Sequence, residues 1–330
     1  MRKGFPAVPE GLRRCLLVAQ LAWALSVPGG AVPGPAVSSE EVGALILQLG
    51  AEKFAVRDKA DQKLLALGKD VLPALQEAAR ESDSPEIRVR CRTLVKEIRS
   101  RFLRSRFEQM GKQADDELDV EKAMWVIALF LDPGLERQEF TRQLDEMAAA
   151  VRKKVGVNVK PAALPPEKAV AALIAVLRDE YGLSGDRVSY QHPDNSSAHR
   201  VIVRRKGLPI LLSEIAVAVA HRLELPVVGL GIPGRYMIKY DGARAPAGAV
   251  PKDIIINPFE GWREMTVLEL ARNAAGFVPD EHLVRYPPRE TILRMMRNME
   301  NHAMVRGQLD LAASIRDCYE LVAPEGLRFR

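Results

Sequence analysis

Apolar residues recur at helical spacing along most of the chain, and in one region the spacing repeats. The first copy consists of Val56, Arg57, Ala60, Leu64 and Leu67, and the second, 31 residues later, of Ile87, Arg88, Cys91, Val95 and Ile98. Each copy places its apolar residues on one stripe of a helix. The two copies therefore predict two similar helices, each with one face in a core.

Capping residues mark the ends of the helices in this region. Ser38 precedes two glutamates at a predicted helix start, and Gly68 closes the first repeated helix. Pro73 fits the first turn of a second helix, and Ser84 followed by Pro85 predicts the next start. The arrangement resembles HEAT or armadillo repeats, which need about three units for a continuous core. We predict a HEAT-like module over residues 38–103 that packs on the chain or on a protein partner; a plain helical subdomain is the alternative.

The remainder mixes further helices with a few strands. Helical periodicity covers 120–131, 135–155 and 167–181, and the apolar runs Val227–Leu230, Tyr236–Tyr240 and Ile254–Asn257 predict strands. The fold class expected is α+β, mostly helical, with a small antiparallel sheet.

The N-terminus has the pattern of an export signal. Basic residues at the start precede a 13-residue apolar run, Cys15–Val27, which is too short to span a bilayer as a helix. We expect residues 1–36 to be a signal peptide cleaved after Ala31 or Ala36, which predicts a periplasmic or extracellular protein. The alternative is an unstructured or helical extension. No later run approaches 18 apolar residues, so no transmembrane segment is expected after signal removal.

Charge and composition limit the classes of partner. The 330 residues include 48 basic and 43 acidic side chains, a net charge of +5. Residues 1–36 hold four of the basic residues and one of the acidic ones, so cleavage leaves 44 and 42, a net charge of +2. Only 5% of the residues are aromatic, so few side chains could stack on bases. Together with the small net charge, this means that nucleic-acid binding is not expected.

Neither a metal nor a cofactor is expected from the motifs. Three cysteines and five scattered histidines do not form a multi-cysteine zinc pattern. Gly229–Gly234 spells G-x-G-x-x-G, but Pro233 interrupts the loop and a strand follows, whereas a dinucleotide site needs a helix there.

A series of landmarks in the second part of the chain carries a family resemblance. They are Trp125–Pro133, Tyr190–Ser196, Arg204–Ser213, Ala218–Pro226, Gly231–Tyr236 and Ile256–Gly261. Their order and spacing resemble the SirB-type branch of the transglutaminase-like superfamily over residues 115–322. The resemblance implies a papain-like core over 104–285. Gly307, Ala312 and Pro324 have the spacing of one tetratricopeptide-like unit, which predicts a helical tail over 286–330.

The resemblance also implies three catalytic positions, and two of them hold residues that the family chemistry does not use. The family chemistry uses a thiolate at a helix N-terminus, a histidine on a neighbouring strand and an Asp or Asn on the next strand. The matching positions are Ser213, Arg235 and Asn257. Arg235 cannot act as a base because its pKa exceeds about 12. The missing thiol and histidine therefore argue against catalysis, although they do not decide the question.

Three functions follow from these positions. The leading hypothesis is a non-catalytic protein that binds or scaffolds protein partners, through its helical repeats. The first alternative is a hydrolase or acyltransferase that uses Ser213 with a histidine from elsewhere. The second is a peptide- or carboxylate-binding cleft centred on Arg235, beside the helix end near Ser213, with Asn257 and Tyr236 as further contacts. The sequence specifies no oligomeric state.

Overall fold

The computed structural model describes residues 38–156, 158–245 and 252–324. The helices are α1 (Ser39–Gln48), α2 (Phe54–Leu67), α3 (Leu72–Glu81), α4 (Pro85–Gly111), α5 (Val120–Ala128), α6 (Arg137–Val155), α7 (Pro166–Ile174), α8 (Ala198–Arg204), α9 (Pro209–Arg222), α10 (Val267–Asn273), α11 (Pro279–His282), α12 (Pro288–Val305) and α13 (Leu309–Val322). The strands are β1 (Ser184–Gly185), β2 (Lys206–Gly207), β3 (Val227–Ile232), β4 (Arg235–Tyr240), β5 (Ile254–Asn257) and β6 (Arg263–Met265). Helices predominate beside a small antiparallel sheet, which confirms the predicted α+β class.

The chain divides into two compact units between Phe102 and Leu103. The predicted signal peptide lies outside the described residues, so its cleavage and the export that depends on it stay predictions. The predicted domain limits likewise stay predictions. Within the described ranges, no helix combines the length and apolarity needed to cross a membrane.

The N-terminal unit is built from capped helices around one apolar core. The Ser38 Oγ accepts a hydrogen bond from the Glu41 amide at 3.2 Å, and the Ser84 Oγ accepts one from the Ile87 amide at 3.4 Å. Both serines thus satisfy amides that the first turn of a helix leaves free. The core residues include Leu49, Ala60, Leu64, Leu75, Cys91 and Ile98.

Two arginines at matching positions of the repeated pattern make matching contacts. The Arg57 Nη1 donates to the carbonyl oxygens of Ala51 and Glu52, both at 2.8 Å. The Arg88 Nη1 donates to the carbonyl oxygens of Ser82 and Asp83, at 2.6 and 3.1 Å. Each arginine therefore ties its helix to the turn that precedes it. This equivalence fits an internal repeat, and the HEAT-like type of the repeat stays a prediction.

Strands β3 to β6 form one antiparallel sheet in chain order. Ile232 pairs with Arg235 across a tight turn whose Gly234 has a positive φ of 70°, and Ile238 pairs with Ile256. The short strand β6 was not predicted, because Arg263 and Glu264 are exposed and leave no alternating apolar pattern.

Helix α9 packs on one face of this sheet, and α10 packs on the other. Every residue of α9 from Ile210 to Ala220 is buried. On the opposite face, Met237 of β4 and Ile255 of β5 share a core with Leu270 of α10. Side chains of a strand alternate between faces, so this layering decides which strand residues can meet α9.

Candidate functional site

Ser213 lies inside α9 and not at its end. The helix begins at Pro209, so Ser213 is the fifth helical residue, beyond the amides that a helix N-terminus leaves free. Its exposure is 0%, and its Oγ has no hydrogen-bond partner. Among the described residues, therefore, no histidine is hydrogen-bonded to the hydroxyl that would need a base.

Arg235 and Asn257 meet around a third residue, Glu260. The Arg235 Nη1 lies 3.6 Å from the Glu260 carboxylate, and its Nη2 donates to the Asn273 carbonyl oxygen at 3.4 Å. The Asn257 Oδ1 accepts a hydrogen bond from the Glu260 amide at 3.2 Å. The Arg235 side chain is 32% exposed. An internal carboxylate thus already lies beside the guanidinium.

The structure does not bring Ser213 and Arg235 together, which corrects the predicted arrangement of Arg235 beside the helix end near Ser213. Tyr236 hydrogen-bonds Glu214 of α9, whereas the next residue, Met237, packs toward α10. By alternation Arg235 projects on the α10 face, as its bond to Asn273 of that helix requires. The sheet therefore separates it from Ser213.

Tyr236, the fourth predicted residue, belongs to a buried hydrogen-bonded chain. Its hydroxyl donates to the Glu214 Oε1 at 2.7 Å and lies 3.1 Å from the Thr291 Oγ1, which in turn donates to the Pro287 carbonyl oxygen at 3.1 Å. Burial raises the pKa of Glu214 to about 7 and raises the pKa of Tyr236 well above its usual value. The chain thus contains a carboxyl group that titrates near neutrality.

A cavity of about 160 Å³ opens at this chain. Glu214, Tyr236 and Thr291 line it, together with His221 of α9 and Arg285. Burial and the positive charge of Arg285 lower the pKa of His221, which favours its neutral form. The cavity is therefore lined by the Glu214 carboxyl group, which can be neutral or charged near neutral pH, and by Arg285, which stays positively charged.

The backbone of β3 approaches the same carboxyl group closely. A Cβ atom added at Gly229 would lie 2.4 Å from the Glu214 Oε1 and 2.5 Å from the Tyr236 hydroxyl oxygen. Only a residue without a side chain leaves room for this pair. The first part of the G-x-G-x-x-G motif thus serves close packing, and the motif as a whole forms the β3–β4 hairpin.

No sequence pattern predicted that one site contains Glu214, Thr291, His221 and Arg285. A signal existed for Glu214, which is the single charged residue in the apolar run from Ile210 to Ala220. A buried carboxyl group needs a polar partner, so such a position marks a candidate site. The partners lie on distant segments, and no local pattern indicated them.

One serine–histidine contact and both described cysteines are buried. The Ser196 Oγ lies 3.0 Å from the His302 Nδ1, but both residues are buried, which fits a structural contact between a loop and α12. Burial raises the pKa of Cys91 to about 11 and that of Cys318 to about 12, so both stay thiols at neutral pH. The described residues contain no group of three or more His, Cys, Asp or Glu side chains arranged to hold a metal ion.

Several landmark residues of the sequence hold the loop that precedes α8. The Asn195 Nδ2 donates to Asp186 and to the carbonyl oxygens of Ser189 and Tyr190, at 2.7–3.2 Å, and Arg204 donates to the Asn195 Oδ1 at 3.0 Å. Asn195 is fully buried. Asn195 also begins an N-x-S glycosylation sequon, and its burial indicates a packing role for this residue.

Comparison with known proteins matches residues 138–297 to the family described as the transglutaminase-like superfamily. A UPF0162 protein of Xylella fastidiosa is 31% identical over 176 residues, which are 49% of this chain and 59% of that protein. A UPF0162 protein of Pseudomonas aeruginosa is 25% identical over 207 residues, covering 61% of this chain and 70% of that protein. Protein SirB1 of Salmonella typhimurium is 22% identical over 172 residues, covering 49% and 60%.

The matches cover only part of each of these relatives. The chain spans 59% of the length of the Xylella relative that it matches. No solved structure gives a significant match. The matched residues include α9 and strands β3 to β6, the elements that carry the site. Residues 138–297 thus match a transglutaminase-like domain, and the UPF0162 and SirB1 relatives support a SirB-type transglutaminase-like family for this chain.

Proposed function

We propose that this protein is a non-catalytic member of its family that binds protein partners. The observation that carries the proposal is the state of Ser213, whose hydroxyl is fully buried and has no hydrogen-bond partner. A serine becomes a nucleophile when an adjacent base removes its proton. The residue at the histidine position of the family is Arg235, which is always protonated.

The test is the reactivity of Ser213. We expect a fluorophosphonate probe, which labels activated serines, to modify the wild-type protein and Ser213→Ala to the same background extent. Hydrolysis of p-nitrophenyl acetate is likewise expected to be unchanged by the substitution. Labelling or turnover that disappears in Ser213→Ala would overturn the proposal and favour the hydrolase.

The Arg235-centred cleft receives less support as a ligand site. Glu260 already lies beside the guanidinium, so a ligand carboxylate would have to displace it. The sheet also keeps the end of α9 out of reach of Arg235. Partner binding is therefore the better supported of the two functions.

We propose that protein partners bind the N-terminal unit. Its helices expose large apolar side chains, with Phe54 at 67% and Val89 at 54%. Exposed apolar groups are typical of contact surfaces. We expect the full-length Phe54→Ser/Val89→Ser double variant to lose partners that chemical cross-linking captures with the wild-type protein.

A matched control distinguishes a specific binding surface from nonspecific binding to exposed apolar side chains. Val188, in the other unit, is 97% exposed, so Val188→Ser removes an exposed apolar group of the same size as Val89. The control should retain all cross-linked partners. Equal recovery by all three proteins would contradict a role for the N-terminal unit.

We also propose that the protein is exported. The basic start and short apolar run of residues 1–36 support this location. N-terminal sequencing of the protein from its natural source should begin at Val32 or Val37. Recovery of a chain that begins at Met1 would contradict processing.

A further inference from the structure

The cavity at Glu214 contains two ionisable groups that no ion pair among the described residues holds. Burial raises the pKa of Glu214 and the positive charge of Arg285 opposes that rise, so the two groups already interact. Tyr236 is the one hydrogen-bond partner of the Glu214 carboxyl among the described residues. Arg285 is exposed at the cavity, and no ion pair or hydrogen bond joins it to another described residue. An acid in the interior and a cation at the surface are thus both available to a ligand.

The other charged groups of the wall are already occupied. Glu121 binds Arg222 through two hydrogen bonds, and Asp119 accepts from the Lys122 amide at 2.9 Å and pairs with Arg137 at 3.7 Å. His221, whose lowered pKa favours the neutral form, adds no charge. Recognition of a charged ligand therefore falls to Glu214 and Arg285.

The size and remaining walls of the cavity restrict the ligand further. A volume of about 160 Å³ is close to that of cavities that hold a benzene molecule, so a ligand of roughly six to eight non-hydrogen atoms fits. Met124 and Val217 supply apolar surface beside the polar groups. This surface suits a short aliphatic side chain.

We propose that this cavity binds a small aliphatic α-amino acid, with its ammonium group at Glu214, its carboxylate at Arg285 and its side chain against Met124 and Val217. The proposal concerns a different surface from the partner-binding unit and does not depend on the absence of catalysis.

The charge state of Glu214 fits this role. With a pKa of about 7, the empty site holds a carboxyl group that is partly neutral near neutral pH. A bound ammonium group would favour the carboxylate form and form a charge-assisted hydrogen bond with it. Arg285 would complete the pair, because a guanidinium binds a carboxylate through two parallel hydrogen bonds.

Calorimetric titration of the full chain with three probes tests the ligand class. L-Alanine carries both charged groups, propionate lacks the ammonium group, and ethylamine lacks the carboxylate. We expect saturable one-to-one binding of alanine, with propionate and ethylamine at least tenfold weaker. Propionate or ethylamine binding as tightly as alanine would overturn the zwitterion proposal, as would no saturable signal with alanine up to roughly 10 mM.

Two substitutions test the site. Glu214→Gln keeps the shape and the contact with Tyr236 but removes the charge, and Arg285→Gln removes the charge of an exposed residue. Each should weaken alanine binding at least tenfold. Arg142→Gln, which removes an exposed arginine on α6, should bind like the wild-type protein. Unchanged alanine binding in Arg285→Gln, with its folding verified by circular dichroism, would overturn the proposal.

Discussion

Glu214 couples folding to pH, because its carboxyl group is buried among apolar residues of α9. Its pKa in the folded protein is about 7, against an ordinary value of 4.5. The folded state therefore holds a proton that the unfolded chain releases between these values. Stability contributed in this way is complete below about pH 4.5 and is lost as the pH rises to about 7.

Substituting Glu214 by Gln should remove this dependence. We expect the free energy of unfolding of the variant to rise relative to the wild-type value by up to about 3 kcal/mol between about pH 4.5 and 8. Urea denaturation at both pH values measures the change. A difference between the two proteins that stays constant with pH would show that Glu214 does not titrate on unfolding.

Gly229 should be intolerant of any side chain. In Gly229→Ala, the new methyl group meets the Glu214 and Tyr236 oxygens at less than 3 Å, so we expect a loss of about 1–3 kcal/mol of stability. Urea denaturation measures it. Gly134→Ala is the matched control, since no atom lies within 4 Å of its added Cβ and both glycines lie in the same unit. Equal stability of the two variants would contradict the close packing.

At the level of helices and turns, the paired arginines of the N-terminal unit stabilise equivalent connections. Arg88→Ala removes two charged hydrogen bonds to the turn before α4, and Arg57→Ala removes two before α2. We expect each variant to lower the stability of this unit by about 1–3 kcal/mol. Hydrogen exchange of the unit's amides measures the loss.

Arg101→Ala provides the comparison on α4. Arg101 is exposed and pairs with Glu97 one turn away, a contact worth about 0.3–0.5 kcal/mol. Its removal should leave amide protection in the unit nearly unchanged. If Arg88→Ala were as mild as this control, the turn contacts would contribute little to the unit.

For the whole molecule, the balance of charge argues against nucleic acid as a partner. Without residues 1–36 the chain has 44 basic and 42 acidic residues, and no large excess remains to neutralise phosphates. We expect the processed protein not to bind duplex DNA at about 0.15 M salt, as measured by fluorescence anisotropy. The chain of residues 1–330 is the control for the contribution of the basic start. Tight, salt-sensitive binding by the processed form would contradict the expectation.

The sequence was sufficient for most of the helices, for strands β3 to β5 and for the family resemblance. Ser38, Ser84 and Pro85 mark helix starts because capping is local chemistry, and the three predicted strands are present within a few residues. The family resemblance followed from the order and spacing of the landmarks along the chain. The site itself was predicted only in part, with Tyr236 as the member that lines the cavity.

Chain order and periodicity alone indicated the α+β class, and the resemblance to the SirB-type family implied that Ser213 and Arg235 stand at its catalytic positions. Only the tertiary structure decided that Ser213 and Arg235 stay apart, because alternation along β4 places them on opposite faces of the sheet. It also decided that Glu214, Tyr236, Thr291 and Arg285 share a cavity. These residues lie on different elements, and their meeting depends on how α9, the sheet and α12 pack.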